Sequence, residues 1–333
     1  MYAGAVRVLH FNDCAFVAAT LVAEARRRGL PWRHLTPEQV RPRVQPGGGV
    51  GRLRYLPYFA RRISAVGDSD IVHVHYGTSA QLLRQRGVPR RPYVLSLHGT
   101  DIRTQWHDPA YHPQLRRAID EAAAVLYTNL DTAQETLRAR PDARHLPQAV
   151  SPHGLPPWRP HGVETGTPRI VFAARWSADK GVLEQLQLAD ALRRALPHAD
   201  LIGLDWGEGA PDAARAGVRL VPTRPHRQYL ELLASADVVV GQADVILSVS
   251  DFEAMLIGAP LAALGQRLPS ADGTQPPALH GSLKEVTAQI AEALVEPEAT
   301  AARLGSRQWV RAHHDPARLV TMLEPIYQHS TGT

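Results

Sequence analysis

Short apolar runs alternate with helix-like segments along the whole chain, and this alternation constrains the fold more than any other feature of the sequence. The runs at 6–11, 70–76, 93–99 and 123–129 have the composition of buried strands, and each is followed by a loop or by a segment compatible with a helix. The first of these segments, 16–29, ends at a glycine, as many helices do. Buried strands that alternate with helices predict a parallel sheet covered by helices on both faces.

The alternation begins again after the segment 152–168, which is rich in proline and glycine and is typical of a linker. Five further strands are predicted, at 169–174, 199–204, 218–222, 237–242 and 259–264. We therefore expect an α/β protein with two doubly wound, Rossmann-like domains, 1–160 and 161–316, facing across a cleft, and a C-terminal helix at 317–333 that packs back on the first. Ligands of such sheets bind beyond the carboxyl ends of the strands.

Composition narrows the functional classes. The single cysteine, Cys14, excludes an intrachain disulfide framework and a cysteine-rich zinc site. No window approaches the roughly 18 apolar residues of a membrane span, and the N-terminal segment lacks the features of a signal peptide. We expect a cytoplasmic protein without a metal site. His73 and His75, on one face of a strand, are expected to pack or cap rather than bind metal.

The positive charge of the chain is unevenly distributed. The formal net charge is +5, and residues 26–62 contain ten arginines but one acid, Glu38. Two interpretations stay open for this segment: a solvated surface, or peripheral contact with an anionic membrane. Zinc-finger spacings and RNA-binding aromatic motifs are missing from the sequence, so we expect no nucleic acid partner. The glycine-rich stretch 46–52 is interpreted as a loop that closes over substrate.

One strand-to-helix turn carries an unusual pair of cations. The chain has 35 arginines and only two lysines, yet Arg175 ends the run 169–174 and Lys180 follows five residues later, just before Gly181. Arginine binds two oxygens at once, lysine supplies a point charge, and a helix N-terminus also favours an anion. The pattern indicates a diphosphate site. The alternative is a surface pair without a ligand.

Glu253 lies beyond the run 237–242 and is predicted to begin a short helix. A carboxylate at such a place accepts hydrogen bonds from the two hydroxyls of a ribose. It also complements the dipole of a helix N-terminus without any ligand. The residue chemistry favours neither interpretation over the other.

Taken in order, these motifs resemble a known family. A strand ending in arginine, "DKG", the turn "DWGEG", "ASADVVV" and "EAMLIGAP" are similar to the C-terminal half of GT-B glycosyltransferases of the retaining family 4 type. "HFND", "DIVHVHYG" and "LSLHGTDIR" are similar to the N-terminal half. The resemblance covers nearly the whole chain.

The resemblance implies roles for individual residues. Arg175 and Lys180 would hold the donor diphosphate and act in catalysis together with His98, which would face the reacting sugar. Glu253 would bind the ribose. The remaining implied positions are, on the donor side, Gly181, Leu247, Ser248 and Val249, and, on the acceptor side or in the cleft, Asp101, Asn12 and Asp13.

Three positions depart from the family pattern. The family has two glutamates in the spacing E-x7-E, and here Val245 replaces the first of them. The family's "GFG" reads "ILS" at 246–248, and its interdomain "NG" reads His153-Gly154. Valine cannot hydrogen-bond a sugar hydroxyl, so the departure makes an unusual donor plausible.

The resemblance implies a metal-independent, retaining glycosyltransferase that moves a sugar from a nucleoside diphosphate, of the UDP or GDP type, to a hydroxyl of a small molecule or glycan. No cofactor is implied beyond this co-substrate. Three alternatives stay open: a pseudo-glycosyltransferase or another enzyme with an unusual donor, a nucleotide-sugar-binding protein that has lost catalysis, and a nucleotide-sugar epimerase.

Overall fold

The computed structural model describes residues 5–42 and 53–332. By internal contacts the chain divides into two compact units, Met1–Val150 with His314–Thr333, and Ser151–His313. Each unit is built on its own six-stranded sheet. The glycine-rich stretch 46–52, and with it part of the arginine-rich segment, lies outside the described residues.

The first sheet has the strand order β2-β1-β3-β4-β5-β6, and every neighbouring pair is parallel. Its strands are β1 Val8–Phe11, β2 Trp32–Leu35, β3 Ile71–His75, β4 Tyr93–Leu97, β5 Ala124–Tyr127 and β6 Arg144–His145. Because all strands run the same way, the loops that follow them collect at one edge. This carboxyl edge is where an open α/β sheet binds ligands.

The second sheet has the order β12-β11-β10-β7-β8-β9, and its neighbouring strands are also parallel. Its strands are β7 Arg169–Phe172, β8 Asp200–Leu204, β9 Arg219–Val221, β10 Val238–Val240, β11 Leu261–Leu264 and β12 Leu279–Gly281. The neighbours β7 and β10 are far apart in sequence. The loops after them therefore meet at the carboxyl edge only because the sheet is folded in this order.

Helices cover both sheets. Those before the linker are α1 Val17–Arg27, α2 Pro37–Val40, α3 Leu56–Gly67, α4 Gly99–Arg103, α5 His112–Glu121 and α6 Ala133–Ala139. Those after it are α7 His161–Thr165, α8 Val182–Ala195, α9 Ala210–Arg215, α10 His226–Ala234, α11 Val249–Ile257, α12 Leu283–Ala293, α13 Pro297–Leu304, α14 Ser306–His314 and α15 Pro316–Thr331. Short 3₁₀ helices lie at Gly77–Arg84, Gln105–His107, Leu130–Thr132 and Ala178–Lys180. Among the helices described, none combines the length and the apolar character needed to cross a bilayer.

The first sheet is buried on both faces because successive side chains of a strand point to opposite sides. Val8 and Ile71 belong to a core on the face covered by α1 and α15. Leu9 and Val72, one residue further along the same strands, belong to a separate core with Ala118 of α5. Strands covered in this way consist of nearly continuous apolar residues, which is the pattern seen in the sequence.

The C-terminal helix α15 is part of the first unit. It packs against α1, β3 and β4, and its residues Leu319, Val320, Leu323 and Tyr327 are fully buried. In the second unit, Phe172 packs with Leu188 of α8 and Val286 of α12. The prediction of two doubly wound α/β sheets is confirmed. The short strands β2, β6 and β12 were not predicted.

Candidate active site

Arg175 lies in the turn after β7, beside an exposed tryptophan. Its Nε donates to Ser177 Oγ at 2.8 Å, and its Nη2 donates to Asp179 Oδ2 at 2.5 Å. The guanidinium carbon lies 5.6 Å from the ring centroid of Trp206, whose surface is 51% exposed. The neighbouring Trp176 is fully buried and anchors the turn, because its Nε1 donates to Leu204 O at 3.0 Å. A rigid turn thus holds a partly exposed cation at the carboxyl edge.

Asp179 is the counter-charge of this arginine within the protein. Burial acts to raise the pKa of Asp179, but hydrogen bonds from Ser177 and Arg175 outweigh it, and the net effect lowers the pKa. The carboxylate is therefore ionised at neutral pH. The guanidinium of Arg175 has five N–H donors, and its bonds to Ser177 and Asp179 use two of them.

Lys180 lies at the end of the same turn. Its Nζ donates to Gln242 Oε1 at 2.8 Å, and Gln242 follows the neighbouring strand β10. Gly181 directly precedes α8 with a φ of +68°, and a Cβ there would lie 2.4 Å from the backbone oxygen of Ala243. Only glycine allows this approach between the two loops. The structure therefore brings Lys180 and the N-terminus of α8 to one place.

The start of α11 differs from the prediction. The helix begins at Val249, not at Glu253, and Ser248 is its N-cap, with Oγ accepting from Asp251 N at 3.3 Å. Leu247 is buried just before the cap. The prediction was wrong because the chain "SVSD" carries its capping signal, a serine followed three residues later by an acid, ahead of the apolar residues.

Glu253 lies within α11 and is nearly buried. His226 Nε2 lies 2.7 Å from Glu253 Oε1, and the side chain of His226 is half-exposed. This hydrogen bond raises the pKa of His226 above its ordinary value, although partial burial opposes the effect. His226 begins α10, whose contact with α11 brings the two side chains together. The carboxylate thus has a partner within the protein, which the sequence did not reveal.

The position of Val245 separates this chain from the family pattern. Its side chain is 46% exposed. The adjacent Asp244 accepts a hydrogen bond from the backbone N–H of Val245 at 2.6 Å. The acid next to the valine therefore has a local structural partner.

In the first unit, Asn12 and Asp13 follow β1. Asp13 accepts hydrogen bonds from the backbone N–H groups of Cys14, Ala18 and Ala19, at 2.7, 2.9 and 3.1 Å. It therefore satisfies free N–H groups at the start of α1. Asn12 Nδ2 donates to a serine, Ser79 Oγ, at 2.8 Å.

His98 and Asp101 lie where β4 ends and α4 begins, and both are buried. Asp101 accepts from His98 N at 2.9 Å and from Gly77 N at 3.1 Å. Burial raises the pKa of Asp101 to about 7 against the effect of these two bonds. Burial also lowers the pKa of the His98 imidazole to about 3. Around pH 7 the imidazole of His98 is therefore neutral, and the carboxyl group of Asp101 is close to the midpoint of its titration.

Two loops at this edge hold strained backbone. Within residues 5–42 and 53–332, the positive-φ residues other than glycine are Asn12, Ala15, Phe16 and Tyr76. Tyr76 Oη donates to Cys14 Sγ at 2.9 Å, so the loop after β3 contacts the loop after β1. Backbone strain of this kind clusters at functional sites. Phe16 is also exposed.

A group of buried histidines lies beneath His98 and was not predicted as a group. Ring nitrogens of His10, His73 and His75 lie within 4.8 Å of one another. All three rings are fully buried. The sequence signal was limited to the pair His73 and His75 on one strand, and β1 contributes the third ring through its pairing with β3.

Comparison with known proteins identifies the class of protein. Residues 5–147 match the family model described as "Glycosyl transferase 4-like domain", which covers nearly all of the first unit up to its C-terminal helix. No curated protein sequence matches the chain significantly.

Solved structures match the chain over its length. A sucrose-phosphate synthase from Thermosynechococcus elongatus is 14% identical, with a TM-score of 0.66 over 97% of this chain and 98% of that one. HepE from Anabaena, in complex with UDP, is 15% identical, with a TM-score of 0.66 over 97% and 100%. A trehalose-6-phosphate synthase is 12% identical, with a TM-score of 0.66 over 97% and 99%.

At these identities the solved structures show the fold that the chain shares with them, which is GT-B. Together with the family match in the first unit, this fold confirms the expectation of a GT-B glycosyltransferase.

Proposed function

We propose that the protein transfers a sugar from a UDP-sugar to a hydroxyl group of a small molecule or glycan, with retention of anomeric configuration and without a metal ion. HepE structures with UDP and with UDP-glucose support a nucleotide-sugar donor, because their fold matches this chain along its length. The observation that carries the proposal is the position of Arg175, Lys180 and the α8 N-terminus at one carboxyl edge.

This arrangement suits the charge that develops in the reaction. As the bond between the anomeric carbon and the phosphate oxygen breaks, its electron pair passes to the leaving diphosphate. Arg175, Lys180 and the N–H groups of α8 stabilise that charge in a fixed geometry. The acceptor oxygen then bonds to the anomeric carbon on the face that the diphosphate leaves, and its proton passes to a leaving-group oxygen.

We assign to Glu253 the binding of the donor's ribose. A buried carboxylate accepts two hydroxyl hydrogen bonds, which a ribose offers through its vicinal diol. Glu253 is nearly buried and its Oε1 already accepts from His226. We propose that the ribose hydroxyls share this carboxylate with His226 or take its place.

The remaining site residues are assigned less direct roles. Gly181, Leu247, Ser248 and Val249 shape the backbone of the donor site, because a side chain at the glycine would clash and the serine caps α11. On the acceptor side, Asp13 and Asp101 hold loops through backbone N–H groups rather than offering free carboxylates. Asn12, whose amide donates to Ser79, is assigned to the acceptor side. His98 is assigned a place beside the reacting sugar, where His75 and Thr128 hold its buried ring through both nitrogens.

Val245 favours a second candidate function on the same fold. Its exposed apolar side chain stands where the family pattern has a glutamate. An enzyme that couples a pseudo-sugar or another unusual donor has no need for a carboxylate at this place. The nucleotide site and the chemistry of the leaving group are the same in both cases.

A two-stage assay tests the proposal. Thermal unfolding with UDP, GDP, ADP, CMP and dTDP first identifies the nucleotide, because a bound ligand stabilises the folded state. Incubation with the matching nucleotide sugars, with and without a chelator, then reports turnover. Release of free nucleotide, unchanged by the chelator, supports the transferase.

The same assay separates the alternatives. Turnover only with unusual donors supports the second candidate. Tight binding without any turnover indicates a protein that has lost catalysis. A changed sugar on an intact nucleotide indicates an epimerase. Absence of nucleotide binding across the panel contradicts the proposal.

A further inference from the structure

Side-chain hydrogen bonds join the buried histidines of the first unit end to end. His10 Nδ1 lies 3.2 Å from His75 Nε2, and His75 Nδ1 lies 3.3 Å from His98 Nε2. A tyrosine of α15 connects the fourth ring, because Tyr327 Oη lies 3.4 Å from His10 Nε2 and 2.5 Å from His73 Nδ1. The four rings thus form one continuous run.

Both ends of this run are hydroxyl groups. His73 Nε2 lies 2.7 Å from Ser96 Oγ, and His98 Nδ1 lies 3.3 Å from Thr128 Oγ1. We call the run from Ser96 to Thr128 the histidine row. Every ring nitrogen of the row has a hydrogen-bond partner within it.

The rings of the histidine row are neutral. Burial is the main cause that lowers the pKa of His10, His73, His75 and His98. A neutral imidazole has one N–H donor and one acceptor nitrogen. Each ring therefore donates in one direction and accepts from the other, so all the hydrogen bonds of the row must point the same way.

Thr128 sets that direction. Its Oγ1 donates to Leu97 O at 3.4 Å, and a hydroxyl has only one proton to give. With this proton on Leu97 O, Thr128 accepts from His98 Nδ1–H. The other bonds then follow in turn: each histidine carries its proton on Nδ1 and accepts a hydrogen bond at Nε2. The hydroxyl of Tyr327 donates to His10 Nε2, and the hydroxyl of Ser96 donates to His73 Nε2.

A bound metal ion is the alternative for His10, His73 and His75, whose nitrogens lie close together. The rings of His73 and His75 are stacked, with centroids 4.6 Å apart and planes 19° apart. Lone pairs lie in the ring planes, so those of two stacked rings do not converge on one ion. The hydrogen bonds of the row account for all of these nitrogens.

We propose that the histidine row couples the tautomers of its four rings, and that Thr128 and Tyr327 are positioning residues which decide the protonated nitrogen of His98. The meaning of the row for catalysis rests on the proposed function, in which His98 faces the reacting sugar. The coupling itself does not, because it follows from contacts within the first unit.

Removal of the Thr128 hydroxyl should reverse the whole row. In Thr128→Val, the wild-type direction leaves the buried N–H of His98 Nδ1 without an acceptor. The opposite direction leaves only an unprotonated Nδ1 without a partner there, and every other ring nitrogen keeps its partner as far as Ser96. Buried N–H groups without an acceptor are rare in folded proteins, so the opposite direction is favoured. The proton should move from Nδ1 to Nε2 on all four histidines. Thr128→Ser keeps the hydroxyl and should keep the wild-type tautomers.

Tyr327→Phe cuts the row between His73 and His10. In the double variant with Thr128→Val, we expect the reversal to reach His10 but to leave His73 as it is in Tyr327→Phe alone. Tyr93→Phe is the matched control, because it removes a buried tyrosine hydroxyl of the same unit, whose partner is the backbone oxygen of Ala118. It should leave all four tautomers unchanged.

Long-range proton–nitrogen NMR spectra of the full chain, labelled with ¹⁵N-histidine, report which ring nitrogen carries each proton. Reversal at His73 in Thr128→Val, and wild-type spectra after Zn²⁺ is added, support the proposal. A change confined to His98, mixed tautomers in the wild type, or a zinc-induced shift of the row overturns it.

Steady-state kinetics of the same variants separate this proposal from the proposed function. If His98 acts beside the sugar, Thr128→Val lowers kcat at nearly unchanged KM, and Thr128→Ser restores it. A reversed row with unchanged kcat supports the coupling and contradicts the role of His98.

Discussion

Lys180 Nζ donates to Gln242 Oε1 at 2.8 Å, and the amide of Gln242 is itself held because its Nε2 donates to Ile246 O at 2.8 Å. The two residues follow strands that are neighbours in the sheet but distant in sequence. Gln242 therefore presents a neutral oxygen to the ammonium group and does not neutralise its charge.

Loss of either cation should slow turnover more than it weakens binding. We expect Lys180→Ala and Arg175→Ala each to lower kcat by about 10²–10³-fold, because each group stabilises charge that develops in the transition state. Steady-state kinetics and calorimetric titration with UDP check this. Lys284→Ala is the matched control, since Lys284 is exposed on α12 and is the other lysine of the chain. Unchanged kcat in Lys180→Ala would refute the diphosphate assignment.

Gln242→Glu should weaken UDP binding by on the order of tenfold, because a carboxylate beside the ammonium repels the diphosphate, and 1.4 kcal/mol corresponds to a factor of ten. Titration with UDP in buffers of rising ionic strength measures the effect. Gln289→Glu makes the same change of charge on α12. Equal affinities of these two variants would show that Lys180 does not contact the phosphates.

Glu253→Gln should weaken the binding of UDP and of uridine alike, by about 10–100-fold, because a hydrogen bond to a charged group contributes about 1.5–3 kcal/mol. Binding of inorganic pyrophosphate should not change. Glu231→Gln, an exposed carboxylate on α10, serves as the control. If uridine affinity held while pyrophosphate affinity fell, the carboxylate would belong to the phosphate site instead.

Acidification should destabilise the first unit steeply below about pH 6.5. Burial lowers the pKa of the four histidines of the row. At mildly acidic pH the unfolded chain therefore binds up to four protons that the folded chain does not bind. The contribution of these histidines to the free energy of unfolding is fully present above their unfolded pKa of about 6.5. It is lost as the pH falls below that value.

Asp101 acts in the opposite direction. Its folded pKa is raised to about 7, so unfolding between about pH 4 and 7 releases one proton. For these five groups the net uptake near pH 5.5 is about three protons, which lowers the free energy of unfolding by about 4 kcal/mol per pH unit. Urea unfolding at pH 5.5, 6.0 and 7.0 measures this slope. His198→Gln, at an exposed position, is the control and should leave this slope nearly unchanged. A free energy of unfolding that does not change with pH would contradict the burial of the row.

Gly181→Ala should be far more damaging than Gly166→Ala. Both residues have a positive φ, +68° and +75°, which costs a non-glycine residue about 1–2 kcal/mol. Only at Gly181 does the added Cβ meet backbone, 2.4 Å from the oxygen of Ala243, whereas Gly166 has no atom within 4 Å. Chemical denaturation of the two variants measures the difference. Equal losses would show that the loops after β7 and β10 separate easily.

Some contacts of the candidate site were beyond the reach of sequence analysis. The pattern from Arg175 to Gly181 is local, and a strand that ends at a helix start can be recognised from a few neighbouring residues. Trp206, Gln242 and His226 come to the site from other strands and helices. The residues next to them in sequence do not indicate which side chain they will contact. The one sequence signal for Trp206 is the aromatic residue in the turn "DWGEG".

The sequence by itself determined the two parallel sheets, because burial on both faces requires continuous apolar runs and parallel neighbours require crossover segments between them. Strands with polar residues, such as β2, lacked this signal. Only the tertiary structure decided the histidine row. Its members come from four strand regions and from Tyr327 on the C-terminal helix. A histidine in an apolar run is predicted to be buried, but the run does not show which group its ring will contact.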